Sequence, residues 1–134
     1  MPNLDLAFRL IDAANAADPT QTNDRPAALV YGERMSAELG PLFPKASDVL
    51  RIAARGQHVE RWLLPRKDFP EGKEGYHAWR REQGRRHGER LAGFMAEAGY
   101  PTQDQTRVGV LLRKEGIKRD AEVQALEDVI CFNF

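Results

Sequence analysis

Val108-Gly109-Val110-Leu111-Leu112 is the stretch whose reading separates an all-helical chain from a mixed one. Taken alone, a short apolar run with two valines fits a buried strand as well as a piece of helix. Its flanks favour the helix. Gly99-Tyr100-Pro101 is a strong stop upstream, Thr102 offers a capping hydroxyl, and Lys114-Glu115-Gly116 closes the segment. Val108, Leu111 and Leu112 then share one side of that helix. With the run read this way, no strand pattern remains in the chain.

Moving outward, the same helical period recurs on both sides. A long helix is predicted from about 75 to 98, with Tyr76, Arg80, Gln83, His87, Leu91 and Phe94 along one face. Before it, Ser47 caps a third helix, with Asp48 favourable in its first turn. That helix is predicted to run through Leu50, Ala54, His58 and Trp62 to Pro65, where a loop containing Pro and Gly begins. A second helix starts at Pro26, carries Leu29, Tyr31, Met35 and Leu39, and ends at Gly40-Pro41. A polar loop over 20–25 precedes it. Asn3 caps a first helix bearing Leu4, Ala7, Phe8, Ile11 and Ala14, which Asp18-Pro19 stops. At the other end Asp120 caps a last helix with Val123, Leu126, Val129 and Ile130. The expected architecture is all-α, a single compact bundle of about six helices. At 134 residues the chain suits one domain over 1–134 with one core.

Composition narrows the function classes. Hydrophobic residues at 42% and charged residues at 30% describe a folded chain rather than a disordered one. A formal net charge of zero argues against a nucleic-acid-coating role. Trp79 among Arg80, Arg81, Arg85 and Arg86 reads as a solvated helix side rather than an RNA surface. The charge is uneven, however: residues 51–90 hold 11 basic and 6 acidic side chains and all three histidines. A pocket for a small anion is therefore expected in the central third. The lone Cys131 permits no internal disulfide, in keeping with a reducing compartment, and its apolar neighbours predict a buried structural thiol. Neither a signal-peptide pattern nor a membrane-length apolar run is found, so no membrane association and a cytoplasmic location are expected. The apolar end Cys131-Phe132-Asn133-Phe134 either packs into the core, continues into further sequence, or forms a surface for oligomerisation.

Several residues could carry chemistry. On a helix, His58 would share its face with Ala54, Trp62, Arg55 and Arg61. Such a histidine fits an anion site, a metal ligand, or a half-buried ring bonded to a backbone carbonyl. His87 should point inward and His77 outward. Arg80 shares the face of Tyr76, Gln83 and His87. Arg55, Arg61 and Arg80, with Gln57 beside His58, are the candidates for binding an anion or substrate, because guanidinium groups grip phosphate and carboxylate in pairs of hydrogen bonds. Glu127-Asp128 interrupts an apolar helix, and a buried carboxylate there needs a partner, either a cation such as Arg34, Arg55 or Arg61, or a metal. No P-loop, G-x-G-x-x-G, H-E-x-x-H, C-x-x-C or nucleophile-elbow motif occurs, so no catalytic residue is assigned.

Longer strings carry a resemblance. Ala53-Ala54-Arg55-Gly56-Gln57-His58-Val59-Glu60-Arg61-Trp62, Tyr31-Gly32-Glu33-Arg34-Met35-Ser36, Leu111-Leu112-Arg113-Lys114 and residues 122–129, with Ile11-Asp12-Ala13-Ala14-Asn15, together resemble the bacterial and fungal family called domain of unknown function 4202. That resemblance implies further helices beyond Phe134 and carries no activity. More distantly, the order of His58, His87 and Asp128 resembles the HD superfamily of helical phosphohydrolases, which hold a divalent metal. Here Tyr31 stands in the region of the early His and Val59 in place of the paired Asp. What this second resemblance implies is an HD-like fold and a degenerate site, with His58, His87 and Asp128, with or without Glu127, as metal ligands. A divalent transition metal is the one cofactor it would call for, and it would make a hydroxide nucleophile from bound water. Three functions follow as expectations: a metal-dependent phosphohydrolase, a non-catalytic module for a phosphorylated or carboxylated small molecule, or a protein-interaction module using the C-terminal end with exposed Phe69 and Tyr100.

Overall fold

Most α-helices of the structure, a computed structural model, begin where a local backbone–side-chain bond starts them or a proline sets their entry, while the longest follows Gly72 at positive φ. The structure describes residues 1–116 and 119–133, without the side chains of Phe132 and Asn133. Helix α1 is Leu4–Asn15, and the Asn3 side chain accepts the Leu6 N–H at 3.0 Å. Helix α2, Ala27–Leu42, follows Pro26. Helix α3, Asp48–Arg55, has Ser47 accepting the Leu50 N–H at 3.1 Å. Helix α4 is Lys73–Glu97 and α5 is Thr102–Arg113. Helix α6 is Ala121–Asn133, and Asp120 accepts the N–H groups of Glu122 and Val123. Among the described residues the chain is all-α apart from an antiparallel pair of two-residue strands, β1 Gln21–Thr22 and β2 Arg25–Pro26.

One buried cluster is shared by all six helices. Ile11 of α1, Met35 of α2, Ile52 of α3, Leu91 of α4, Leu111 of α5 and Leu126 of α6 are each fully buried within it. Burial of such a side chain contributes roughly 1.5–3 kcal/mol, so the helices are held mainly by this shared interior. The contact between α4 and α5 is the most extensive of the bundle. It is close because Gly88 faces Gly109: a Cβ on Gly88 would lie 3.1 Å from the Gly109 Cα. That approach fixes the face of α4 that carries Gln83 and His87.

Val108–Leu112 is helix, as its flanks predict. Several sequence expectations need correction. Helix α3 stops at Arg55, not near Pro65. Gly56 packs so tightly on Leu91 that an added Cβ would come within 2.3 Å of it. Residues 56–60 turn back, and Glu60 takes a left-handed conformation with φ 53°. Two short 3-10 turns follow, Arg61–Leu63 and Arg66–Asp68. His58 and Trp62 are therefore loop residues. The polar 20–25 segment is a minimal hairpin, with Asn23 and Asp24 both at positive φ, the combination that a tight two-residue turn requires. Helix α2 continues one residue past Pro41, since a proline in the last turn removes a single hydrogen bond. Pro101, not Thr102, is the residue ahead of α5. Cys131 is exposed rather than buried. Tyr100 is buried, its hydroxyl donating to Asp48 at 2.8 Å, so it is no surface aromatic, and Phe69 is half-buried. The expected packing of Phe132 and Phe134 lies outside the described side chains. Among the described residues no helix is long and apolar enough to cross a membrane.

Candidate functional site

A cavity of about 850 Å³ opens between α2, α4 and the 56–66 segment, with the end of α5 and part of α6 on its far side. Its walls are decided by how that segment is anchored. The buried Asn15 side chain accepts the Glu60 N–H at 3.2 Å, and Arg90 of α4 pairs with the Glu60 carboxylate at 2.8 Å. From α4, Gln83 donates its amide to the carbonyls of Arg61 and Leu64, and Trp79 donates its indole N–H to Leu64 at 2.8 Å. Arg66 donates to the carbonyls of Phe69, Pro70 and Gly72, holding the next turn. Asp18 closes the opposite edge, with one oxygen on the Thr20 N–H and the other on the Ala28 N–H at the start of α2. None of the anchoring roles of Asn15, Asp18 and Glu60 was foreseen from the sequence. Gly56 right after Arg55 was the available signal for the early stop of α3.

The two cavity histidines are neutral. His87 is 4% exposed, and its Nδ1 lies 2.8 Å from the Val59 carbonyl. A carbonyl can only accept, so Nδ1 carries the proton and Nε2 keeps a lone pair. Burial drives its pKa down to about 4; the bond to Val59 opposes this, and Arg61, Arg86 and Lys114 add to it. The His58 ring stacks on Tyr31, with centroids 3.6 Å apart and planes 13° from parallel. Its pKa falls to about 3, first through burial and then through Arg61, His87 and Lys114. Tyr31 is pushed up to about 12, chiefly by burial, with Arg61 opposing and Glu127 assisting. Bases this weak are poorly matched to proton transfer near neutral pH.

The wall is cationic. Arg34, Arg61, Arg66, Arg80 and Lys114 line the cavity, against one carboxylate, Asp18, whose oxygens are already engaged. The Arg61 guanidinium lies over the Trp79 ring at 5.1 Å and that of Arg80 over Tyr76 at 5.7 Å. Among the described residues neither Arg61 nor Arg80 pairs with a carboxylate. Lys114 does pair, with Glu127 of α6, giving that carboxylate a cationic partner. A second groove of about 490 Å³ adjoins the cavity and shares Arg80 and Lys114 with it.

The predicted site residues thus divide. Gln57, His58, Arg61, Arg80 and His87 line one cavity. Arg55 does not: it makes a bidentate pair with Asp12 at 2.7 and 2.8 Å, tying α3 to α1. Asp128 is on an exposed face of α6 and accepts from Gln124 at 2.9 Å. Among the described residues no three His, Cys, Asp or Glu side chains come together to hold a metal. The expected set of His58, His87 and Asp128, with or without Glu127, is therefore not assembled. His77 is exposed, as predicted.

The family described as "Domain of unknown function (DUF4202)" matches residues 5–134, so the chain belongs to that family. Neither the curated proteins nor the solved structures returned a match.

Proposed function

We propose that this member of the DUF4202 family is a non-catalytic binding protein for a small phosphorylated or carboxylated molecule. The observation that carries the reading is the charge of the cavity wall: five cationic side chains, of which Lys114 is paired with Glu127, line it beside one engaged carboxylate, Asp18. Two of the five, Arg61 and Arg80, lie against aromatic faces rather than acids. Their donors remain available for charge-assisted hydrogen bonds to an anion. The cavity volume suits a metabolite-sized ligand. Binding without turnover is favoured because both imidazoles are weak bases and no metal-ligand trio converges among the described residues. In this reading the pocket is a degenerate form of the HD-like arrangement that the order of its histidines resembles, with a binding wall in place of a metal set.

Calorimetry and thermal shift with inorganic phosphate, glycerol phosphate and malonate, against chloride at matched ionic strength, test the reading. Saturation at millimolar ligand should stabilise the fold, by about 2.7 kcal/mol at a hundredfold excess over Kd, and every ligand should be recovered unchanged. Phosphate release from glycerol phosphate by the purified protein would replace binding with hydrolysis. No stabilisation by any of the three would remove the anion site.

A further inference from the structure

The cavity holds acceptors that a bare anion cannot serve. Gln83 and Gln57 line it and are only 5% and 8% exposed. In each, the side-chain oxygen is buried with no hydrogen-bond partner among the described residues. The orientation of Gln83 is not open to reversal, since its Nε2 already donates to two carbonyls. His87 adds a third acceptor, because its proton is committed to Val59 and Nε2 keeps its lone pair. A carboxylate and a fully ionised phosphate ester are acceptors themselves, so neither satisfies any of these through its charged group. A buried polar atom left without a partner is costly, and native proteins rarely keep several in one place.

Resting on the anion-binding reading, we infer that the ligand is a polyhydroxylated phosphate ester of the sugar-phosphate class: its hydroxyl groups donate to Gln83, Gln57 and His87, and its phosphate meets Arg61 and Arg80. The donors must be neutral. An ammonium group would sit in the field of Arg61 and Lys114, the same field that helps to keep both histidines uncharged. Hydroxyls donate without adding charge. They also accept, which lets them receive a bond from a neighbouring guanidinium while donating to a carboxamide.

Calorimetry on the whole chain compares a pentose phosphate and glycerol phosphate with butyl phosphate, phosphoethanolamine and inorganic phosphate. The pentose phosphate should bind at least about tenfold tighter than butyl phosphate, the gain expected from two or three newly made hydrogen bonds. Gln83→Met should erase that difference, and because Gln83 also holds the Arg61 and Leu64 carbonyls it should weaken inorganic phosphate binding as well, with circular dichroism showing that the variant is folded. Gln57→Met is the second variant, with a smaller loss expected. Equal binding of the pentose and butyl esters would overturn the inference, since water would then serve the acceptors, while the anion reading would stand. Preference for phosphoethanolamine would overturn it in favour of an ammonium donor. Failure of every phosphate, the inorganic ion included, would be failure of the anion reading itself.

Discussion

The rings of Tyr31 and His58 lie face to face, 3.6 Å between centroids, although one is on α2 and the other on the turn after α3. Packing of this kind excludes water from the imidazole and holds it neutral, with its pKa down to about 3, and His87 is held similarly at about 4. In the unfolded chain both would titrate near 6.5. Between about pH 6.5 and pH 4 the unfolded state therefore binds more protons than the folded one, and stability rises with pH across that window. Acidification from neutral should lower Tm progressively toward pH 4, and His58→Phe, which keeps a ring on Tyr31, should flatten the slope. A Tm that is constant between pH 7 and pH 4 would contradict the burial of these rings.

Arg61 and Arg80 should be separable from the fold. Each lies on an aromatic face at the cavity and makes no ion pair among the described residues. Arg61→Met and Arg80→Met should each weaken phosphate binding by about tenfold, in the range of a lost charge-assisted hydrogen bond. Tm should change by little. Wild-type affinity should also fall as salt rises, because half-exposed cations are screened. Calorimetry at two ionic strengths checks both.

Arg55 should behave in the opposite way. Its side chain is 15% exposed and its bidentate partner Asp12 is 32% exposed, on a different helix. Arg55→Met should destabilise the protein by about 1–3 kcal/mol, mainly by leaving a half-buried carboxylate unpaired. Ligand affinity should stay close to wild type. Urea denaturation with a binding assay on the same sample distinguishes this outcome from loss of an anion ligand.

Gly88 should tolerate no bulk. Its missing side chain lets α4 lie against Gly109 of α5. Gly88→Val should cost roughly 1–3 kcal/mol through overpacking, and binding should weaken with it as α4 carries Gln83 and His87 outward. Gly93, where an added Cβ would meet nothing within 4 Å, is the control on the same helix. Gly93→Ala should be neutral or mildly stabilising.

Both tryptophans of the chain, Trp62 and Trp79, line the cavity. Ligand binding should therefore change the intrinsic fluorescence, and Trp62→Phe should leave the part that arises from Trp79. A saturating ligand detected by calorimetry but silent in emission would place it elsewhere on the protein.

Much of the architecture could be read along the chain because its causes are local. Asn3, Ser47 and Asp120 each accept N–H groups two or three residues onward, and such bonds need nothing from the rest of the fold. The apolar stripes of α1, α4 and α6 are likewise set by the helical period, and so was the inward direction of His87. Even the stop of α3 has a local sign in Gly56, masked by His58 and Trp62, which continue the period of Leu50 and Ala54.

The site's membership was another matter. Arg55 and Arg61 look equivalent on a helical projection, yet Asp12, 43 residues away, claims one, and the turn at Glu60 carries the other to the cavity. Asp128 keeps the right order in the chain for a ligand but stands on the outer face of α6. Periodicity and capping specify which residues are helical and which way they point from their own axis. Pairings between distant side chains, each won by whichever partner the packing brings close enough to offset desolvation, specify which of them meet.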